Sequence, residues 1–237
     1  MNGIILAAGM GTRLQPITND RPKALVEING KSLFSQQLEL MENLGVSPIT
    51  VVTGHAHRAF IPWNNKPGLN FLYNPHYHDR NNFYSLYLVR EKLGNTLVID
   101  GDLWIDPHAL DNQSFHKSCW FLGNRNGPAT EWFAQQDQEG RVQSISVRDG
   151  EGQSLTGVSY WNAQDGQCIC STLEHWYASR DTTPLYWDDV PRALLQELEI
   201  YGNLLQDGSW WEIDTPEDKE ILEEKLKKSP TRSLLIE

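Results

Sequence analysis

Near the start of the chain, Gly9-Met10-Gly11-Thr12-Arg13 follows the apolar run Ile4–Ala8, and Pro22-Lys23 comes shortly after. Glycines let a backbone approach phosphate oxygens closely and aim successive N–H groups at them. Arg13 can fork onto a phosphate, and Lys23 adds a mobile point charge. The chemistry implied is the binding and transfer of phosphate groups. Two better-known phosphate loops are excluded. The dinucleotide fingerprint needs a third glycine, but Leu14 stands there and Pro16 follows; the P-loop needs Gly-Lys-Ser/Thr, which is absent. A nicotinamide oxidoreductase fails on the same grounds.

Phosphoryl chemistry needs charge neutralisation, and Mg²⁺ takes carboxylates together with phosphate oxygens. Asp102 stands just past the apolar run Thr96–Ile99, and Asp214 just past Trp210–Ile213. On spacing alone each is either a metal ligand or a local residue, Asp102 in a turn and Asp214 before the cap at Thr215. Other constellations are weak. His76-Tyr77-His78 lacks a third zinc ligand, and His55 after Thr53-Gly54 reads as a surface loop histidine. Cys168-Ile169-Cys170 lies in a helical stretch, where the two thiols do not share a face.

The elements that must position these groups follow from periodicity. Asn2 to Ala7 reads as a short buried strand, and Gly9 to Ile28 as a long irregular segment of the kind that carries function. A helix is predicted over Lys31 to Gly45, then strands at Ile49–Val52 and Phe71–Tyr73. A helix over Asn82 to Lys92 and a strand at Thr96–Ile99 follow. This order argues for a mostly parallel sheet covered by helices, with the ligand at the carboxyl ends of its strands. Strand-like runs at Cys119–Gly123, Trp132–Gln136, Arg141–Val147 and Gly157–Trp161 suggest an antiparallel addition. Helices are expected over Ala163–Ala178 and Asp188–Glu197, and strands at Glu199–Leu205 and Trp210–Ile213. Thr215-Pro216-Glu217-Asp218 opens a last helix with Thr as N-cap, Pro at the first position and acids in the first turn.

The chain has 237 residues, 20 Lys+Arg and 31 Asp+Glu, a formal net charge of −11 that disfavours a nucleic-acid partner. No run approaches the ~20 apolar residues of a membrane helix, and no basic segment precedes Ile4 to mark a signal peptide. With three cysteines and no disulfide framework, a cytoplasmic protein without membrane insertion is expected. One domain is predicted over 1–228, with a first half (1–112) that carries the phosphate-binding loop, a second half (113–214) and a C-terminal helix (215–228). Residues 229–237 read as a tail. Monomer and homodimer both remain open.

Leu6 through Arg13, followed by Pro22-Lys23, resembles the L-A-A-G-x-G-x-R…P-K signature of the nucleotidyltransferases that activate phosphorylated metabolites with a nucleoside triphosphate. Six further stretches, in order, are similar to bacterial choline-phosphate cytidylyltransferases: Asn81–Val89, Val98–Asp102, Thr130–Phe133, Leu155–Trp161, Leu185–Asp188 and Glu212–Asp214. The resemblance runs from Met1 to about Glu224. It implies a mixed, mainly parallel Rossmann-like α/β sheet of the nucleotide-diphospho-sugar transferase type, with a smaller antiparallel acceptor-binding addition. It implies CTP and choline phosphate as substrates, Mg²⁺ on Asp102 and Asp214, and Arg13 and Lys23 as the catalytic cations. Leu6, Ala7, Ala8, Gly9, Gly11, Asn82 and Asp100 join Arg13 in the implied nucleotide site, backbone groups near Ala8 reading the base. The implied acceptor site is Trp132, Tyr186 and Glu212, with Trp161 and Trp187 either beside them or in the core. A trimethylammonium head offers no hydrogen-bond donor, so aromatic faces and a nearby carboxylate suit it. A sugar phosphate would instead need its hydroxyls satisfied. Cytidylyl, uridylyl or thymidylyl transfer to phosphoethanolamine, 2-aminoethylphosphonate or a sugar-1-phosphate remains the alternative, and a non-catalytic nucleotide-binding module is the rival from another class.

Overall fold

The computed structural model describes residues 1–228; the tail predicted over 229–237 lies outside the described residues. In chain order the elements are β1 (Asn2–Ala7), β2 (Glu27–Ile28), β3 (Lys31–Ser32), α1 (Leu33–Asn43), β4 (Ile49–Thr53) and β5 (Leu69–Tyr73). Next come α2 (Phe83–Leu88), β6 (Thr96–Asp100), β7 (Leu103–Ile105), β8 (Cys119–Arg125), β9 (Thr130–Gln136) and β10 (Val142–Asp149). β11 (Gly152–Trp161), α3 (Ala163–Ser179), α4 (Asp189–Ala193), β12 (Tyr201–Leu204), β13 (Trp210–Glu212) and α5 (Pro216–Lys228) complete the chain.

Nine strands form one mixed sheet, with β10-β9-β11-β6-β1-β4-β5 along its main path and β8 and β12 joined through β11. β6, β1, β4 and β5 run parallel, whereas β11 pairs antiparallel with β6, β8 and β9. β1 is covered on both faces, as parallel strands must be. Ile5 and Ala7 enter one core cluster and Ile4, Leu6 and Ala8 the other, the alternation of an extended chain. The register Leu6↔Asp100 and Ala7↔Thr53 brings three strand ends together where the glycine loop begins.

Local chemistry fixes the helices that brace this edge. Ser32 caps α1 by accepting from Ser35 N–H at 3.1 Å, and Gly45, at φ 66°, ends it in the left-handed region. On its buried face Gln37 donates to the carbonyls of Asp100 (2.9 Å) and Leu103 (2.7 Å), pinning the turn that carries Asp102. α5 opens as the sequence predicts: Thr215 Oγ1 accepts from Asp218 N–H while Asp218 Oδ2 accepts from Thr215 N–H, a reciprocal cap. That carboxylate also accepts from Asp214 N–H at 3.0 Å, so the cap orients Asp214.

Several boundaries differ from expectation. The helix predicted over Asn82–Lys92 is a six-residue α2 followed by a separate 3₁₀ turn, Arg90–Lys92, and the one over Asp188–Glu197 shortens to α4. The β2–β3 hairpin and the β7–β13 ribbon were not foreseen as pairs, because strands of two or three residues carry almost no periodicity. β11 is longer than predicted and kinks at Gly157 (φ 80°), where its register with β8 shifts between Leu155 and Val158.

Candidate active site

The glycine loop is folded onto the Lys23 segment. Gly11 adopts φ 61°, and a Cβ there would lie 3.0 Å from Thr18 and 3.2 Å from the Cβ of Lys23. Thr18 Oγ1 donates to the Gly11 carbonyl at 2.7 Å, and the His55 ring contacts the Thr18 carbonyl at 2.7 Å. His55 therefore fastens the loop. Across from it, Gly101 N–H donates to the Leu6 carbonyl, and a Cβ at Gly101 would stand 2.8 Å from that oxygen. Only glycine lets the Asp100–Asp102 turn lie against the end of β1.

These approaches bring Arg13, Lys23, Asp102 and Asp214 to one cavity of about 330 Å³. Lys23 Nζ lies 2.9 Å from Asp102 Oδ2 and 2.5 Å from Asp214 Oδ1, and Arg13 reaches the same Asp214 oxygen at 2.9 Å. Glu212 completes the group: one carboxylate oxygen from each of Asp102, Glu212 and Asp214 falls within 4.8 Å of the others. Gly9, Gly11, Asn82 and Asp100 line the same cavity, as do Trp132 and Tyr186, whose rings meet edge to face at 5.7 Å. Arg192 covers the Trp132 ring at 5.4 Å. Asn82 makes no side-chain cap on α2; its Oδ1 accepts from Trp187 N–H, tying α2 to the loop before α4.

Other predicted residues stand elsewhere. Trp161 is a correction: it is fully buried and packs against Trp120 and Trp187, because the alternation of β11 turns it into the core. Trp187 is likewise buried rather than a cavity wall, and its indole N–H donates to Asp100 Oδ1 at 3.2 Å, bracing that side chain from behind. Leu6, Ala7 and Ala8 do not line the cavity. They form its buried support, the Leu6 and Ala8 carbonyls accepting from Gly101 and His55. Glu212, assigned to the acceptor, stands in the carboxylate group as well. Glu131, Asp188, Thr12 and Arg125 were missed. Glu131 and Asp188 sat beside quoted aromatics, which was the available signal; Arg125 had none. His76 and His78 flank exposed Asp79, apart from the only three-ligand group found among the described residues. Cys119 is buried, Cys168 exposed and Cys170 half-buried, all as free thiols.

Residues 3–112 match the MobA-like NTP transferase domain family. The chain is 39% identical to the choline-phosphate cytidylyltransferase of Streptococcus pneumoniae over 227 residues, covering 96% of this chain and 99% of that relative. It belongs to this nucleotidyltransferase family. The choline-phosphate cytidylyltransferase of Haemophilus influenzae is 30% identical over 228 residues, covering 95% and 97% of the two chains. A solved structure of the Streptococcus pneumoniae CTP:phosphocholine cytidylyltransferase superposes with a TM-score of 0.89 at 38% identity, over 95% of this chain and 98% of that one.

In this nucleotidyltransferase the cavity's charges are strongly coupled. Burial works to lower Lys23, but Asp102 and Asp214 outweigh it and hold the ammonium above its ordinary range. Burial likewise works to raise Asp102, and Lys23 outweighs it, so this carboxyl stays below the usual value. Burial pushes Glu212 up to about 7, with Asp102 and Asp214 adding and Arg125 opposing. Burial also raises Asp188 to about 7 against the Trp120 indole, which donates to it at 2.8 Å. Asp100 is raised well above its usual value by burial, then by Asp102 and Asp188. Members of this family use a divalent metal, and the convergent hard oxygens of Asp102, Glu212 and Asp214 fit one. Among the described residues no helix is long and apolar enough to cross a membrane.

Proposed function

We propose that this nucleotidyltransferase transfers a cytidylyl group from CTP to choline phosphate, giving CDP-choline and pyrophosphate. The observation that carries the reading is one cavity with two unlike ends. Arg13 and Lys23 stand beside the glycine loop at one; Trp132, Tyr186 and the half-buried Asp188 stand at the other. A zwitterion with a phosphate and a quaternary ammonium matches that polarity.

In the transfer, a phosphate oxygen of choline phosphate attacks the α-phosphorus of CTP in line. The new P–O bond forms as the bond to the bridging oxygen breaks, and pyrophosphate leaves with that electron pair. The acceptor oxygen is already anionic, so no general base is required, and positioning with charge stabilisation dominates. Asp102 and Asp214, with Glu212, would hold Mg²⁺, which would supply further neutralisation of the triphosphate. Backbone N–H groups of the Gly9–Gly11 loop face the phosphates, and Arg13 and Lys23 neutralise them. Trp132 and Tyr186 offer aromatic faces to the ammonium, each contact worth ~0.5–2 kcal/mol. Asp188 places negative charge nearby.

The test is pyrophosphate release with CTP, Mg²⁺ and choline phosphate, phosphoethanolamine, 2-aminoethylphosphonate or glucose-1-phosphate in turn. Choline phosphate is expected to give the highest kcat/KM. Trp132→Ala should raise its KM about tenfold, as the loss of one desolvated cation–π contact implies, with the CTP KM little changed. A preference for a primary amine would move the acceptor assignment; no turnover with any amino-alcohol phosphate would reject it; CTP binding without turnover would favour the non-catalytic module.

A further inference from the structure

The β7–β13 ribbon carries Glu212 and leads directly to Asp214, yet no strand-to-strand pairing joins it to the nine-stranded sheet that holds the rest of the cavity. Side chains cross the gap instead, and Arg125 is the one that ties β8 to Glu212. Arg125, at the end of β8, places its terminal nitrogen 2.6 Å from Glu212 Oε2 and its Nε 3.5 Å from Glu131 Oε1 on β9. Its guanidinium lies over the Trp210 ring at 4.7 Å, and Trp210 in turn packs so tightly on β8 that a Cβ at Gly123 would come within 1.8 Å of it. Trp210 and Glu212 are two residues apart on one strand and so present the same face to β8. Arg125 does not line the cavity, whereas both glutamates it holds do.

We infer that Arg125 is a positioning residue for the acceptor: its guanidinium hydrogen-bonds Glu212, with a looser ion pair to Glu131, and so holds the Glu212 carboxylate at the cavity wall. This rests on the function proposed above. A lysine supplies the charge but not a planar group that lies over Trp210 while reaching Glu212, so the arrangement is specific to arginine. Because Arg125 acts through Glu212, its removal should matter little once Glu212 can no longer be held as a carboxylate.

The experiment is a double-mutant cycle in the full chain with Arg125→Met, Arg125→Lys, Glu212→Gln and the two combinations, reading KM and kcat for choline phosphate, KM for CTP, and melting temperature. Arg125→Met is expected to raise the acceptor KM about tenfold, a loss of ~1.4 kcal/mol, and the CTP KM by less, since Asp102 and Asp214 remain to hold the metal. Arg125→Lys should recover part of the loss. Arg125→Met/Glu212→Gln should match Glu212→Gln within twofold. If the methionine variant does not fold, the lysine variant carries the same cycle. An inactive wild type would overturn the functional reading and this inference together. An active wild type with additive effects, with equal losses for both substrates, or with an Arg125→Met variant like wild type would overturn the inference alone.

Discussion

Replacing Lys23 with methionine separates what this ammonium does for the fold from what it does for the reaction. The side chain is 13% exposed and touches two carboxylates, at 2.9 and 2.5 Å. Methionine keeps the length and removes the charge, leaving Asp102 and Asp214 facing each other and Glu212. Breaking a buried pair costs ~3–5 kcal/mol. Here Arg13 remains on Asp214 and both carboxylates are partly exposed, so screening reduces the cost to about 1–3 kcal/mol. A chain of this size shifts by ~2–4 °C per kcal/mol, so Tm should fall by about 2–12 °C. For turnover, losing one preorganised charge beside the reacting phosphates implies a drop in kcat of about 10²–10³. Thermal melts and pyrophosphate-release kinetics on the same preparations read both. A variant with unchanged Tm would refute the structural half, and one with kcat within threefold of wild type the catalytic half.

Two further outcomes follow from the same charges. Burial raises Asp188 to about 7 in the folded protein, so the folded state binds its proton more tightly than the unfolded chain; its contribution to stability is present below about pH 4 and lost as pH rises to about 7. Asp188→Asn should therefore melt progressively higher relative to wild type across that window, and parallel Tm–pH curves would refute this. Because Lys23 already neutralises the carboxylate group from within, stripping metal with EDTA should abolish turnover yet leave Tm within about 1 °C of the metal-loaded protein without nucleotide, since metal linkage there is weak. A large EDTA-induced fall in Tm by calorimetry would show that a structural ion is held instead.

What the sequence made legible was local. The first strand, the glycine loop with Arg13, and the cap at Thr215 each declare themselves within a few residues. The carboxylate group does not: Lys23 and Asp214 are 191 positions apart and meet only through the sheet. The matched motifs placed these residues in the chain, but the closeness of Glu212 to both aspartates depends on a three-residue ribbon too short to show a pattern. Trp161 and Trp187 illustrate the opposite difficulty. Aromatic residues suit both a cation pocket and a core, and only the direction in which strand and loop turn them decides. Arg125 was silent because an isolated arginine near a strand end has no local signature; its meaning lies in three partners from two other strands.

The kinked strand β11 has a consequence for how substrates enter. It pairs with β6 on one side and with β8 and β9 on the other, while Leu155, Thr156 and Gly157 at the kink line the cavity. The two walls thus share one continuous backbone and cannot swing apart like jaws on a linker. The Gly9–Lys23 segment stands outside that backbone, fastened by the Thr18–His55 contact and by the ion pairs of Arg13 and Lys23 with Asp102 and Asp214, which an incoming triphosphate would compete for.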